Sequence, residues 1–227
     1  MKIIAIVQAR MSSKRFPGKV LNSVKEKSLL QYILESLDLI PEVSEVIVAT
    51  STEKSDNKIQ EFCNNYGTQC FRGSLNNVAN RFASLIKKYE CDAFIRVNGD
   101  SPLIDYRLIQ KGINIYKKGG YDFVTNALIR TFPKGQSVEI VNSETFLKFD
   151  LHKLSADELE HVTAYFYNNK ELFNIYNFNS EKKMGNIQLS VDTISDMKIF
   201  ENIISKLNRP HYQYTWLEII DIFKAIT

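Results

Sequence analysis

Apolar runs alternate with amphipathic segments through the first half of the chain. Residues 3–7 form a continuous apolar run rich in β-branched side chains, which predicts a strand buried on both faces. Further strands are predicted at 46–49, 70–71 and 93–97. Apolar residues at helical spacing predict helices at 28–37, 55–66, 78–89 and 105–117. This alternation predicts an α/β fold with a mostly parallel, Rossmann-like central sheet.

The second half of the chain has a less regular pattern. Strands are predicted at 121–126, 138–141, 173–178 and 187–191, and helices at 159–167, 195–207 and 215–226. No linker or internal repeat interrupts the chain, so the sequence predicts a single domain over residues 1–227. The irregular stretch at about 130–185 suggests a small subdomain inserted in the sheet topology.

The charge of the chain is concentrated near its start. The sequence has 29 Lys and Arg residues against 26 Asp and Glu, and six of the basic residues, but no acidic one, lie within the first 25 positions. The rest of the chain therefore carries a slight acidic excess, which disfavours a general nucleic-acid-binding surface. A local excess of positive charge indicates a local anion.

Cysteine spacing and the length of the apolar runs bear on the cellular setting. Cys63, Cys70 and Cys91 form no C-x-x-C pair, which favours a reduced, cytoplasmic protein. The first apolar run is shorter than the roughly 7–15 residues of a signal-peptide core, and no run approaches the ~18 residues of a membrane span. We therefore expect no membrane partner.

A basic loop follows the first predicted strand. Residues 8–19 contain Arg10, Lys14, Arg15 and Lys19, interleaved with Ser, Pro and Gly. Because polar loops after parallel strands meet at one edge of a sheet, these cations and the loop amides could bind a polyphosphate there. The segment has neither the phosphate-loop nor the dinucleotide-binding glycine pattern. An ordinary solvated basic loop remains the alternative.

Two aspartates stand at the ends of predicted strands. Asp100 follows the strand at 93–97, and Asp192 follows the one at 187–191. Carboxylates in such positions can hold Mg²⁺ between triphosphate oxygens. The alternative for Asp192 is a turn that precedes a helix capped by Thr193. Together with the basic loop, the pair predicts a metal–polyphosphate site.

With these segments placed, the chain resembles the SpsF-like cytidylyltransferases of spore coat polysaccharide biosynthesis, which are related to the CMP-KDO and CMP-sialic acid synthetases. Residues 7–21 are similar to that family's Q-A-R-M-x-S-x-R-L-P-G-K-V-L signature. Shorter matches follow in order at 48–51, 71–74, 96–105, 160–163 and 191–193. The resemblance therefore runs nearly from end to end.

The resemblance implies a nucleotidyltransferase fold, CTP and a small-molecule acceptor as partners, Mg²⁺ as cofactor, and a homodimer that the 130–185 region could serve. The implied nucleotide-binding residues are Ala9, Arg10, Ser13, Arg15, Lys19, Thr50, Ser51 and Arg72. Among the implied catalytic residues, Asp100 and Asp192 are the metal ligands; the full set is Arg10, Arg15, Lys19, Asp100 and Asp192. The implied acceptor-binding residues are Asn126, Glu139 and His161.

These features predict an Mg²⁺-dependent transfer of CMP from CTP to an acidic sugar or related acceptor, with release of pyrophosphate, for surface polysaccharide biosynthesis. A nucleotidyltransferase acting on a phosphate or phosphonate acceptor, a glycosyltransferase using a nucleotide sugar, and a non-catalytic nucleotide-binding subunit are the alternatives. Three departures from the family pattern occur. Ser137 replaces a usual Asp, Asn76 and Asn77 replace an acidic pair, and Ile194 and Ser195 replace Pro-Glu. The first two leave the acceptor open.

Overall fold

A computed structural model describes the whole chain, Met1–Thr227. Its centre is a seven-stranded sheet, and a two-stranded hairpin lies apart from that sheet. The strands are β1 (Ile3–Gln8), β2 (Ser23–Val24), β3 (Lys27–Ser28), β4 (Val43–Ser51), β5 (Gln69–Gly73), β6 (Ala93–Asn98), β7 (Phe123–Thr125), β8 (Glu139–Asn142) and β9 (Ile175–Asn177). The strand order in the large sheet is β5-β4-β1-β6-β8-β7-β9. Only β8 runs antiparallel to its neighbours.

Helices cover both faces of this sheet. They are α1 (Leu29–Leu37), α2 (Asn57–Tyr66), α3 (Val78–Tyr89), α4 (Tyr106–Tyr116), α5 (Ser143–Leu147), α6 (Ala156–Glu160), α7 (Ala164–Asn168), α8 (Ile194–Lys206) and α9 (Trp216–Ile226). Apolar residues of α1, α2, α4, α8 and α9 pack in one core, and those of α3, α5 and α7 pack in the other. Alternate residues of β1 enter the two cores, which is why its apolar run is continuous.

The predicted α/β class, with its mostly parallel sheet, is confirmed. The strands and helices predicted up to residue 117 are all present with small shifts of their ends. The 130–185 region supplies β8 and β9 to the central sheet and carries the short helices α5, α6 and α7. This region therefore extends the same sheet on the side beyond β6.

Two predicted elements differ from the structure. The strand predicted at 187–191 is wrong, because this segment forms a single bridge between Gln188 and Lys134 and is otherwise irregular. Leu189 and Val191 are buried there, which explains the apolar pattern without a strand. The helix predicted at 159–167 is divided into α6 and α7, because His161 leaves the helical conformation at φ −104° and ψ 86°.

The strand ends bring the polar loops together. Gln8, the last residue of β1, pairs with Asn98, the last residue of β6. The Gly99 amide continues this pairing to the Gln8 carbonyl at 2.9 Å, and a Cβ at position 99 would lie only 2.8 Å from the same oxygen. Glycine is therefore required for the close approach of the two strand ends. The loops that follow β1 and β6 consequently share one edge of the sheet.

Every cysteine of the chain is a free thiol; Cys63 and Cys91 are buried, and Cys70 is half-buried. None of the helices combines the length and the apolar character needed to cross a membrane.

A buried histidine makes stability depend on pH. Nε2 of His211 lies 2.8 Å from the Tyr32 carbonyl, and its Nδ1 lies 3.8 Å from Glu35. Burial lowers the pKa of His211 to about 4, although the Tyr32 carbonyl and Glu35 act in the opposite direction. The unfolded chain, whose histidine pKa is about 6.5, therefore binds more protons than the folded chain between these values, so stability falls as pH decreases through this window.

We expect the free energy of unfolding of the wild type to decrease between pH 7 and pH 5 by up to about 1.4 kcal/mol per pH unit from this group. Replacing His211 by Gln should remove that share of the slope. Urea denaturation of both proteins at the two pH values measures it, and the other titrating groups cancel in the comparison. Equal slopes for the two proteins would contradict the assignment.

Candidate active site

The loop after β1 folds back on itself and places Lys19 beside Asp100, which follows β6. The Gly18 amide donates to the Met11 carbonyl at 2.8 Å, and Gly18 adopts the left-handed conformation at φ +75°. This turn, which favours glycine, directs the chain into a short 3₁₀ helix that begins at Lys19. Lys19 is only 7% exposed, so its ammonium group reaches the site from the protein interior rather than from solvent.

Lys19 connects the two aspartates predicted as metal ligands. Its Nζ lies 3.0 Å from Asp100 Oδ2 and 3.0 Å from Asp192 Oδ1, and it donates to the Val191 carbonyl at 2.8 Å. The two carboxylates thus lie next to each other, on either side of the Lys19 ammonium group. Hard carboxylate oxygens suit Mg²⁺, which commonly takes one or two protein carboxylates and completes its shell with phosphate oxygens and water. The donor set therefore fits Mg²⁺ better than a metal that needs an all-protein shell, and no group of three or more His, Cys, Asp or Glu side chains is placed to form one.

Asp192 is held as a carboxylate by the cations around it. Arg15 Nη2 lies 2.9 Å from its Oδ1, and Gln188 donates to its other oxygen at 3.2 Å. Burial alone would raise the pKa of Asp192, but the Lys19 hydrogen bond and the charges of Lys19 and Arg15 hold it below its usual value. Thr193 caps α8, as the alternative for this segment predicted. The helix cap and the contact of Asp192 with Lys19 are therefore both present.

Lys19, Asp100 and Asp192 line a cavity of about 360 Å³. Its lining is almost entirely polar; the residues are Gln8, Arg10, Ser13, Lys14, Arg15, Lys19, Val20, Arg96, Asn98, Gly99, Asp100, Glu160, His161 and Asp192. Five of them are cationic Arg or Lys residues and three are carboxylates. The surplus of positive charge in a concave site favours an anionic ligand. The basic loop is therefore part of a cavity wall rather than an isolated solvated surface.

Arg10 and Glu160 join the loop to the second half of the chain. Arg10 Nη2 donates to Glu160 Oε1 at 2.8 Å, and this hydrogen bond lowers the pKa of Glu160. Both side chains remain partly exposed, so the pair can be exchanged for a ligand anion at small cost. His161 lines the same cavity and lies 3.6 Å from Asp157.

Asp56 fixes the start of the loop, and sequence reasoning missed it. Its Oδ1 accepts the Met11 amide at 2.7 Å, and its Oδ2 accepts the amide and hydroxyl of Ser51 at 3.1 and 2.5 Å. Asp56 is fully buried. Burial lowers the pKa of the nearby Arg81 to about 10, and the charge of Asp56 acts in the opposite direction. An acidic residue just before a helix usually indicates a cap, which is why its pattern carried no sign of this role. Asp56 thereby ties the end of β4 to the residue that follows Arg10.

Replacing Asp56 by Asn should loosen the loop. One carboxylate oxygen would be replaced by an NH₂ group facing an amide or hydroxyl donor, which costs roughly 1–3 kcal/mol for an unsatisfied buried group. We expect a lower melting temperature and a raised KM for the nucleotide. Thermal unfolding and steady-state kinetics measure the two effects. Asp221→Asn, which changes an exposed acid of α9 outside the cavity, is the matched control. Equal nucleotide KM values for D56N and the wild type would contradict the positioning role.

Four predicted nucleotide-binding residues lie at the sheet edge but do not line the cavity. Ala9 is buried and donates its amide to Ala49. Ser51 is engaged with Asp56, and the Thr50 hydroxyl is buried without a hydrogen-bond partner. The fourth, Arg72, packs along the end of β4 and the start of α2; its guanidinium donates to the carbonyls of Ser51 and Glu53 and to the side chains of Asn57 and Gln60.

A second cavity of about 330 Å³ adjoins the first through Arg96 and Asn98. Glu139, an expected acceptor residue, lines it with both carboxylate oxygens occupied. Arg96 donates to Oε2 at 2.6 Å, while Thr163 and Tyr167 donate to Oε1 at 2.9 and 2.7 Å. Burial and the charge of Glu139 raise the pKa of Tyr167 well above its usual value, which keeps its hydroxyl protonated as a donor.

Asn126, another expected acceptor residue, is not among the residues that line this cavity. It is 1% exposed, and its side chain amide donates to the Gln136 carbonyl and accepts the Val138 amide, both at 2.8 Å. These two hydrogen bonds hold the turn before β8. Sequence reasoning did not name Gln8, Arg96 or Asn98 as site residues. Gln8 and Asn98 are the last residues of β1 and β6, which was the signal that could have found them, and Arg96 lies two residues before the end of β6.

Comparisons with known proteins agree with this arrangement. The cytidylyltransferase family model matches residues 4–218. Spore coat polysaccharide biosynthesis protein SpsF of Bacillus subtilis (strain 168) is 30% identical over 215 residues, which are 90% of this chain and 87% of SpsF. A cytidylyltransferase structure from Leptospira borgpetersenii serovar Hardjo-bovis has a TM-score of 0.93 at 30% identity and covers 100% of this chain and 95% of its own.

A CMP:2-keto-3-deoxy-manno-octonic acid synthetase, solved in complex with CTP, has a TM-score of 0.70 at 16% identity and covers 91% of this chain and 99% of its own. At this identity the match shows a shared fold. The family match over nearly the whole chain, the SpsF relation and the cation-rich cavity agree with one another. This chain therefore belongs to the cytidylyltransferase family and is a CTP-dependent nucleotidyltransferase.

Proposed function

We propose that the chain uses Mg²⁺ to transfer CMP from CTP to an acidic sugar or a related acceptor, with release of pyrophosphate, in surface polysaccharide biosynthesis. The observation that carries the proposal is the single cavity in which the basic loop faces the converging carboxylates of Asp100 and Asp192. Similarity to SpsF supports the polysaccharide setting.

In this reaction an acceptor hydroxyl releases its proton to solvent as its oxygen forms a bond to the α-phosphorus of CTP, and the bond from that phosphorus to the bridging oxygen of pyrophosphate breaks. Negative charge then grows on the leaving group. Arg10, Arg15 and Lys19 lie on the wall where a triphosphate would rest and can neutralise that charge. Such reactions depend on positioning and electrostatics more than on a protein base.

Asp100 and Asp192 would hold the Mg²⁺ ion, which when bound neutralises phosphate charge and acts as a Lewis acid. Lys19 keeps these two carboxylates at a common position, and Arg15 restrains Asp192 from the loop side. Contacts within the protein thus assemble the site from residues that are far apart in sequence. Its preorganisation is the chain's own contribution to the rate.

The nucleoside half of CTP is proposed to lie beyond the loop, near Ala9, Ser13, Thr50, Ser51 and Arg72. The unpaired Thr50 hydroxyl near the end of β4 supports this placement. Asp56 would then order the loop start between the phosphates and the nucleoside.

We also propose a cytoplasmic homodimer. The edge strand β9 contributes the exposed Tyr176, and Ile129 and Leu172 are large exposed apolar residues close to it in the chain or in space. Burying such residues against a second copy is favourable. Light scattering at two concentrations should give twice the chain mass; a monomeric mass at both would contradict the dimer.

A pyrophosphate-release screen tests the proposed reaction. Each of the four ribonucleoside triphosphates is combined with sugar acids, neutral sugars, sugar phosphates and phosphonates, with and without Mg²⁺. We expect release with CTP, Mg²⁺ and a sugar acid together. Release that needs another nucleotide, or no release with any acid, would contradict the proposal.

A further inference from the structure

The second cavity contains one charged group without a counter-charge. Its charged lining residues are Arg96, Glu139 and Arg130. Arg96 and Glu139 form an ion pair at 2.6 Å. Arg130 forms no ion pair, and the hydrogen bond of its guanidinium is to the neutral Ser137 hydroxyl at 3.2 Å. The cavity next to the nucleotide site therefore presents one uncompensated guanidinium.

The backbone that carries Arg130 is fixed. The amide of Met184 donates to the carbonyl of Thr131 at 2.8 Å, beside Arg130. At Gly185, an added Cβ would lie 2.6 Å from the Arg130 carbonyl oxygen, so these two segments are in close contact. The exposed guanidinium thus extends from an anchored stretch of backbone, so binding a ligand does not require this backbone to be ordered first.

We propose that Arg130 binds an anionic group of the acceptor and that Ser137 leaves Arg130 free to do so. This inference rests on the proposed function, since it takes the second cavity as the acceptor site. A guanidinium offers paired donors to a carboxylate or a phosphate, and it keeps its charge at any physiological pH. The Arg96–Glu139 pair cannot play this part, because each charge already satisfies the other.

The residue at position 137 decides the charge of this subsite. A carboxylate at this position, beside Arg130, would neutralise the guanidinium. Serine gives the same position a neutral hydroxyl at hydrogen-bond distance. The serine therefore leaves the cavity with an unpaired cation, which favours an acceptor that carries a negative group at this point.

The anion subsite is distinct from the triphosphate wall. Arg10, Arg15 and Lys19 line the first cavity only, Arg130 lines the second only, and Arg96 and Asn98 line both. An acceptor bound with its anion on Arg130 can extend past Asn98 toward the α-phosphate. Arg130 would then hold the acceptor without contacting the leaving group.

Calorimetric titration of the full chain, saturated with Mg²⁺ and α,β-methylene-CTP, tests the proposal. The probes are N-acetylneuraminate, 3-deoxy-manno-octulosonate and glucuronate, each beside its methyl ester, together with glucose 1-phosphate. We expect at least one acid to bind, with its ester about tenfold weaker or more. Arg130→Ala and Ser137→Asp should each weaken that acid by about 10–100-fold, as expected for a hydrogen bond to a charged group.

Arg209→Ala is the matched control, because it removes an equal charge from an exposed arginine paired with Glu218, outside both cavities. Acid binding should be unchanged in this variant, and nucleotide affinity should be unchanged in all three. Arg130-dependent binding of the phosphate but of no carboxylate would support the subsite and identify its anion as phosphate.

Equal acid binding by the wild type, R130A and S137D would overturn the proposal, as would equal binding of acid and ester, or no binding of any anion in the panel. A failure of the proposed function looks different. It would leave Arg130-dependent anion binding intact while CTP and the bound acid released no pyrophosphate.

Discussion

Replacing Asp100 by Asn should lower kcat for pyrophosphate release by about a thousandfold while the chain stays folded. Asp100 and Asp192 lie next to each other because both contact Lys19, so the amide would remove half of the carboxylate charge that can hold Mg²⁺ beside them. A bound metal of this kind supplies several kcal/mol of charge stabilisation, and each 1.36 kcal/mol is a factor of ten in rate.

Pyrophosphate release, thermal unfolding and Mn²⁺ binding followed by electron paramagnetic resonance measure the three consequences. The matched control is Asp221→Asn, which changes an acid of α9 outside both cavities. Unchanged turnover in D100N, with metal affinity equal to that of the wild type, would show that Asp100 is not a metal ligand.

Replacing Lys19 by Met should lower kcat by about a hundredfold to a thousandfold, the range for removal of one preorganised donor to a developing charge. The variant also leaves Asp100 and Asp192 facing each other without the shared ammonium group. Because like charges then repel across the site, we expect the two carboxylates to move apart and the nucleotide KM to rise as well.

Lys14→Met is the matched comparison, since Lys14 lines the same cavity but is exposed and makes no ion pair there. Its effect should be much smaller and should shrink as salt screens the exposed charge. Steady-state kinetics at two salt concentrations compare the two variants. Equal losses for K14M and K19M would contradict a special role for the buried lysine.

Local patterns predicted the sheet edge well, because the side chains there follow short buried strands. The apolar run of β1 and the amphipathic spacing of α3 are properties of neighbouring residues, and both elements appear where expected. The basic loop and Asp100 could be placed beside each other once β1 and β6 were recognised as parallel strands. Their closeness follows from the position of strand ends rather than from any long-range signal in the sequence.

Contacts made across the fold could not be predicted in this way. Asp56 resembles a helix cap in sequence, and only the folded chain brings Met11 to its carboxylate. The Asn126 side chain makes hydrogen bonds to the main chain of Gln136 and Val138 in the turn before β8, and no local pattern indicates these contacts. The segment before Asp192 is apolar because Leu189 and Val191 are buried, although it pairs with no strand.

The fate of the CTP phosphates tests the central claim most directly. CTP labelled with ³²P at the α or the γ position is incubated with the chain, Mg²⁺ and a sugar acid that supports pyrophosphate release, and the products are separated. The account predicts the α label in a CMP–acceptor product and the γ label in pyrophosphate. Transfer of the γ label to the acceptor, or an α label that appears only in free CMP, would contradict cytidylyl transfer in this cavity.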